Sequence, residues 1–310
     1  MKYYFAPMEG LSTYIFRNAW RICYRGADKY FTPFLANPRL SRREIDEILP
    51  EHNESLCLIP QILTNRAEDF LSIAAQLADY GYDTVNLNLG CPSGTVTARK
   101  RGAGFLGVPD ELDAFLDEIF SRCPMRISIK TRIGVEDTDE WPRLLDIFSG
   151  YPLDELIIHP RLSREQYTGI PHRDAFAAAC KALHVPLCYN GEIHTPADVQ
   201  ALKNNFPDLP SVMIGREILR RPYLLEQMET GCATASPDTL RTFHDAVYAG
   251  YQQRMSGEMP VLYKMKDLWT YLCNSFAHPE KALKKIRKAN HFPDYEKAVQ
   301  DMIALPLADE

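Results

Sequence analysis

No stretch of the 310 residues approaches the roughly 20 consecutive apolar positions that a membrane span requires. The chain opens directly into the strand-like Met1-Lys2-Tyr3-Tyr4-Phe5, without the basic and apolar regions of a secretory leader, so a cytoplasmic location is expected. The 8 cysteines are scattered, with no CxxC pair and no metal-ligand spacing. That argues against a disulfide scaffold or a zinc site and predicts reduced thiols and no metal. The chain is also read as lacking a Rossmann dinucleotide fingerprint, which excludes a tightly held dinucleotide. Apolar residues make up 45% and charged residues 25%, ordinary for a soluble globular protein with a large core. A formal net charge of -6 leans against a nucleic-acid partner. Basic residues nonetheless cluster locally, within 39–43, 99–101, 161–164, 216–221 and 281–288.

What is present is a rhythm of short apolar strands and amphipathic helices. Strands are expected at 3–6, 29–34, 56–60, 84–89, 126–130, 155–158, 186–189 and 211–214. Helices are expected between them, one capped by the Ser41/Glu44 spacing and one from Asn65, with Asn65 as cap and Glu68 at the capping-box position. Eight such repeats favour a closed (β/α)8 TIM barrel, an α/β fold, over an open doubly wound sheet. Near Gly231-Cys232-Ala233-Thr234-Ala235-Ser236-Pro237 the texture becomes that of a small-residue linker, and only helical patterns follow. The expected division is a catalytic barrel over 1–235 and a C-terminal all-helical domain over 236–310.

Thr84-Val85-Asn86-Leu87-Asn88-Leu89 ends at Gly90-Cys91-Pro92, where glycine permits a sharp turn and proline holds Cys91 extended. A buried core cysteine would not explain the glycine-rich, basic segment that follows, Arg99-Lys100-Arg101-Gly102-Ala103-Gly104. Polar residues fall at or just past other strand ends as well: Gln61, Asn88, Lys130, Arg132, His159, Asn190 and Arg216. Each alone has a structural explanation, but the C-terminal rim of a barrel is where its active site assembles. Amides at Gln61 and Asn190 suit the edge of a heterocycle. Lys130 suits negative charge on a reduced ring, and Gly191 with Gly215-Arg216 lies where this fold binds phosphate. Flavin mononucleotide (FMN) matches that set.

At these residues the sequence resembles the bacterial tRNA-dihydrouridine synthases. The likeness spans barrel and tail, through Val85 to Pro92, Val96, Gly102-Ala103, Ala6-Pro7-Met8-Glu9-Gly10, Lys130-Thr131-Arg132, Gln166-Tyr167-Thr168-Gly169, Asn190-Gly191-Glu192-Ile193 and Met213-Ile214-Gly215-Arg216. The resemblance implies FMN contacts at Pro7, Met8, Glu9, Gln61, Lys130, His159, Asn190, Gly191, Glu192, Gly215 and Arg216, with Cys91 as proton donor and NADPH as reductant. It implies tRNA, or another folded RNA, as partner. Asn88, Arg99, Lys100, Arg132, Arg161, Lys284, Lys285 and Lys288 are the expected substrate contacts. The sequence departs from the family pattern at Asn86, where Asp is more usual, and at Pro160 and Leu162, where Gly and Thr are commoner.

The implied reaction is reduction of a uridine to 5,6-dihydrouridine: hydride from reduced FMN to C6 and a proton from Cys91 to C5. A monomer is expected. A flavin barrel acting on free pyrimidines, of the dihydroorotate or dihydropyrimidine type, is the main alternative. A Schiff-base aldolase using Lys130 and a non-catalytic RNA-binding module are the others. The basic loops and the tail favour RNA, because a small base needs no such surface. Which uridine is modified, and whether NADPH or NADH is preferred, are not legible.

Overall fold

The computed structural model describes residues 1–231 and 235–308. Part of the expected linker, Cys232 to Thr234, lies outside the described residues. Nine strands form one sheet: β1 (Lys2–Phe5), β2 (Lys29–Phe31), β3 (Leu58–Ile59), β4 (Gln61–Ile62), β5 (Thr84–Leu89), β6 (Arg126–Thr131), β7 (Leu156–Ile158), β8 (Leu187–Asn190) and β9 (Ser211–Ile214). Their order is β3-β2-β1-β9-β8-β7-β6-β5-β4, and paired neighbours run parallel.

The two ends of that order, β3 and β4, are halves of one segment parted by Pro60. Proline has no N–H to give the ladder, but its carbonyl still accepts from the Asn86 N–H at 2.9 Å. Leu35 bridges to the other side of β4, donating to the Gln61 carbonyl at 2.7 Å and accepting from the Leu63 N–H at 2.9 Å. The sheet therefore closes on itself, and the expected TIM-type barrel is what forms.

Alternation in β5 sends Asn86 and Asn88 to one face and Val85, Leu87 and Leu89 to the other. The barrel thus carries polar side chains along β4, β5 and β6. Tyr4, Ala6, Phe31, Ile59, Ile157, Cys188 and Met213 make a buried apolar cluster from its other strands. Near the N-terminal ends of the strands, buried Glu155 accepts from the Tyr4 hydroxyl (2.7 Å) and from Lys29 (3.1 Å). A buried carboxylate is tolerable only with such partners.

The chain separates into two compact units, the first comprising residues 1–7, 28–193 and 197–213, the second 8–27, 194–196 and 214–310. The expected line at 235/236 falls inside the second unit, which also takes in the first helix, Tyr14–Cys23. Within that unit, Gly250 of the helix Pro237–Arg254 lies against Ile15, where a Cβ would sit 2.6 Å from Cγ2, so only glycine permits the approach. The Tyr295 hydroxyl, fully buried, accepts from the Trp269 indole at 2.9 Å and hydrogen-bonds His244 at 2.6 Å. Burial holds the His244 imidazole below its ordinary pKa, with Asp245 opposing that shift. Among the described residues no helix is long and apolar enough to cross a membrane.

Candidate active site

The Ser41/Glu44 capping box forms as expected, but Asn65 does not cap its helix. The helix Ala67–Asp79 starts from Arg66 without a side-chain cap. Asn65 instead reaches the basic loop, its Nδ2 donating to the Arg99 carbonyl (3.1 Å) and its Oδ1 accepting from Arg101 Nε (3.4 Å). A short polar side chain can serve helix or loop, and here the loop wins because its carbonyl lies within reach.

That loop begins at Cys91, which is half-buried and not in a disulfide. Its backbone is held from three sides. Asn88 Oδ1 accepts from the N–H groups of Gly90 (3.0 Å) and Cys91 (2.5 Å). The Gly90 carbonyl accepts from Arg132 Nε at 2.8 Å. The Cys91 carbonyl accepts from the Ala103 N–H at 3.0 Å.

Between these anchors the short helix Gly94–Thr97 ends in a Schellman turn, with Arg101 N–H to the Val96 carbonyl and Lys100 N–H to that of Thr97. Lys100 takes the left-handed position at φ 50°, normally a glycine's. Gly102 follows at φ 54°, and a Cβ there would lie 2.6 Å from the Cys91 carbonyl oxygen. Gly102 to Gly107 does carry the G-x-G-x-x-G spacing, which corrects the reading that no such string exists. It is not a dinucleotide fingerprint, however: it forms a 3-10 turn that follows the loop, not a strand, and packs against Cys91 and Thr97.

Strand register puts Asn88 directly across from Lys130, and Asn86 across from both Gln61 and Ser128. The half-buried Lys130 ammonium makes no hydrogen bond or ion pair among the described residues. Burial, reinforced by the neighbouring Arg132 cation, pushes its pKa down to about 8. Next along the rim, buried His159 lies against Gly191, where a Cβ would come 3.0 Å from its ring, and the Gly191 φ of 144° also requires glycine. Glu192 is held at a left-handed φ of 44° and accepts from Arg161 Nη1 at 2.7 Å. Asn190 Nδ2 ties β8 to β9 through the Met213 carbonyl (2.8 Å).

A family profile described as dihydrouridine synthase (Dus) matches residues 4–307. The chain belongs to that family. The tRNA-dihydrouridine synthase B of Pasteurella multocida (strain Pm70) is 26% identical over 231 residues, covering 73% of this chain and 68% of that protein. The tRNA-dihydrouridine(20/20a) synthase of Vibrio vulnificus (strain CMCP6) is 29% identical over 182 residues, or 54% of this chain and 55% of that one. Among solved structures, a morphinone reductase aligns with TM-score 0.53 at 13% identity, over 78% of this chain and 88% of its own. A variant of NCR from Zymomonas mobilis aligns with TM-score 0.52 at 12% identity, over 78% and 90%. These two likenesses concern the fold.

Within this dihydrouridine synthase chain, two expected RNA contacts have other partners. Arg132 is 1% exposed and donates to three backbone carbonyls, those of Gly90, Leu162 (2.8 Å) and Gln166 (2.6 Å), beneath the Tyr167 ring. Arg161, also 1% exposed, is committed to Glu192 and the Gly169 carbonyl, while its Nε has no hydrogen-bond partner among the described residues. Neither side chain presents a surface charge. Pro160 costs the loop one N–H, yet its carbonyl accepts from the His172 N–H at 2.7 Å and anchors the turn.

Arg99 and Lys100 are exposed, with Lys100 paired to Glu111 at 2.8 Å. In the second unit, Met8 donates its N–H to Ser12 Oγ (2.7 Å), Glu9 is exposed, and the Gly10 carbonyl accepts from Lys264 (2.9 Å). Gly215 precedes the helix Arg216–Arg220. Lys284, Lys285 and Lys288 are exposed on the helix Glu280–Lys288, with Ala282 and Ile286 buried, and Lys285 is paired with Asp301. Trp269, on a neighbouring helix, is wholly buried in its helical core.

Proposed function

We propose that this chain reduces a uridine of folded RNA, tRNA by the names of its relatives, to 5,6-dihydrouridine, with FMN bound and NADPH as electron source. One observation carries the reading: a thiol held at the end of β5, beside a strand whose Lys130 ammonium has no anion among the described residues. The residues present fit an anionic, acceptor-rich cofactor. Among the described residues Lys130 lacks a counter-ion and Arg161 Nε is a buried donor without an acceptor, and Gly191 lets the backbone pass close against the His159 ring. Lys130, His159, Gln61, Asn190, Gly191 and Glu192 would hold the ring system. Pro7, Met8, Glu9, Gly215 and Arg216 complete the proposed set.

When bound and reduced, the flavin supplies a hydride to C6 of the uracil. The chain's own part is the proton. Cys91 donates it to C5 as the C5–C6 double bond is lost, and the half-exposed thiolate recovers a proton from solvent. Asn88 keeps one amide hydrogen beyond its bond to Gln61, and that hydrogen can orient a uracil carbonyl. The base must leave its stack, at about a few kcal/mol, which phosphate contacts at Arg99, Lys100, Lys284, Lys285 and Lys288 would offset. A tRNA substrate puts the working enzyme in the cytoplasm. The groups named here all come from one chain, so a monomer suffices. The test is reduction of RNA, of free uridine and of free uracil side by side with the flavin-loaded protein. A preference for the free pyrimidines contradicts the proposal.

A further inference from the structure

Four buried side chains join β6 to the turn that carries Cys91. The Ser128 hydroxyl donates to the Val85 carbonyl (3.2 Å) and accepts from Asn86 Nδ2 (2.9 Å). Asn86 Oδ1 accepts from Gln61 Nε2 (2.8 Å), and Gln61 Oε1 accepts from Asn88 Nδ2 (2.7 Å). Asn88 Oδ1 then receives the backbone N–H groups of Gly90 and Cys91.

The direction of this chain is dictated at both ends. A backbone carbonyl can only accept and a backbone N–H can only donate, so each amide between them has one permitted orientation. All four side chains are at most 7% exposed, so water cannot replace a missing link.

We propose that Asn86 and Ser128 are positioning residues for Cys91, acting through Gln61 and Asn88; the inference rests on the reading of Cys91 as the proton donor. Asn86 is in the middle, where it must accept from Gln61 and also meet Ser128. An aspartate there would keep the acceptor toward Gln61, with only the Ser128 hydroxyl turning to its second oxygen. The half of the chain that holds Cys91 would be unchanged. A leucine of similar size offers no acceptor, leaves Gln61 free to rotate, and removes the constraint on Asn88.

The experiment compares the flavin-loaded wild type with Asn86→Leu, Asn86→Asp and Ser128→Ala. RNA uridine reduction is measured beside flavin reduction by NADPH without RNA, a step that does not use the thiol. Asn86→Leu is expected to lower RNA turnover about 10²-fold, the scale of a misplaced reacting group, with flavin reduction, which a freed Gln61 also touches, lowered at least about 10-fold less. Asn86→Asp is expected to restore RNA turnover to within about 3-fold of wild type, and Ser128→Ala to lower it by about 3- to 10-fold. The carbamidomethylation rate of Cys91 by iodoacetamide, followed by peptide mass, should change in the Leu variant and not in the Asp variant. That readout stands even if RNA proves not to be the substrate. Equal losses in Leu and Asp variants, parallel loss of both half-reactions, or an unaltered Cys91 in the Leu variant would overturn the proposal. If Asn86→Leu does not fold, Ser128→Ala decides by the same two half-reactions, and no change in its RNA turnover counts against the inference.

Discussion

At Cys91 the thiol's use depends on backbone that cannot drift. Asn88, Arg132 and Ala103 hold it, and Gly102 closes the space beneath it. Replacing Cys91 with Ala leaves every one of those bonds in place. The expected result is retained flavin and RNA binding with turnover lower by about 10²- to 10⁴-fold, the usual worth of a positioned general acid. Single-turnover reduction of RNA uridine measures it. Lys130 gives a pH signature. Its pKa of about 8 is depressed by burial, so the charge that attracts an anion is present at neutral pH and is lost as pH rises through that value. FMN affinity should therefore be full below about pH 8 and decline above it, and Lys130→Met should bind more weakly with that decline removed. A titration of FMN binding by fluorescence quenching at several pH values checks both, and an unchanged pH profile in the variant would count against Lys130.

The elements show how far the sequence could be read. β5 and β9 match their expected bounds because each carries strand-type apolar positions, alternating in β5 and consecutive in β9, with a glycine after it, Gly90 and Gly215. Pro60 splitting one strand into β3 and β4 is legible only as a missing N–H; that Leu35 closes the gap depends on pairing across the barrel. Local patterns could not place Arg132 and Arg161. Whether a strand-end arginine meets phosphate or backbone depends on the loop from Leu162 to Gly169, whose path no local pattern predicts. Asn65 and the glycine pair 102/104 belong to the same class, because their partners are distant or invisible without Cβ positions. Gly102→Ala tests the loop as an element. A Cβ 2.6 Å from the Cys91 oxygen and a strained φ should cost about 1–3 kcal/mol. A lower melting temperature and lower RNA turnover are the expected observations. Wild-type values for both would show that the loop relaxes freely.

Across the whole molecule, the acidic net charge conceals a basic helix whose Ala282 and Ile286 are buried and whose lysines are exposed. Its contribution to RNA binding is expected to be electrostatic. Lys284→Glu with Lys288→Glu should weaken RNA affinity and flatten its dependence on salt, while NADPH oxidation without RNA stays near wild type. Lys285 adds less, since Asp301 already partners it. An unchanged salt slope would leave RNA to the barrel loops alone. The central claim, that the thiol at the end of β5 protonates a uridine of RNA, is tested most directly by nucleoside mass analysis of tRNA. The tRNA is incubated with NADPH and the FMN-loaded protein, wild type or Cys91→Ala. Dihydrouridine formed by the wild type and lower by at least about 10²-fold in the variant is the predicted result. Equal dihydrouridine from both proteins, or none from the wild type while free uracil is reduced, would contradict it.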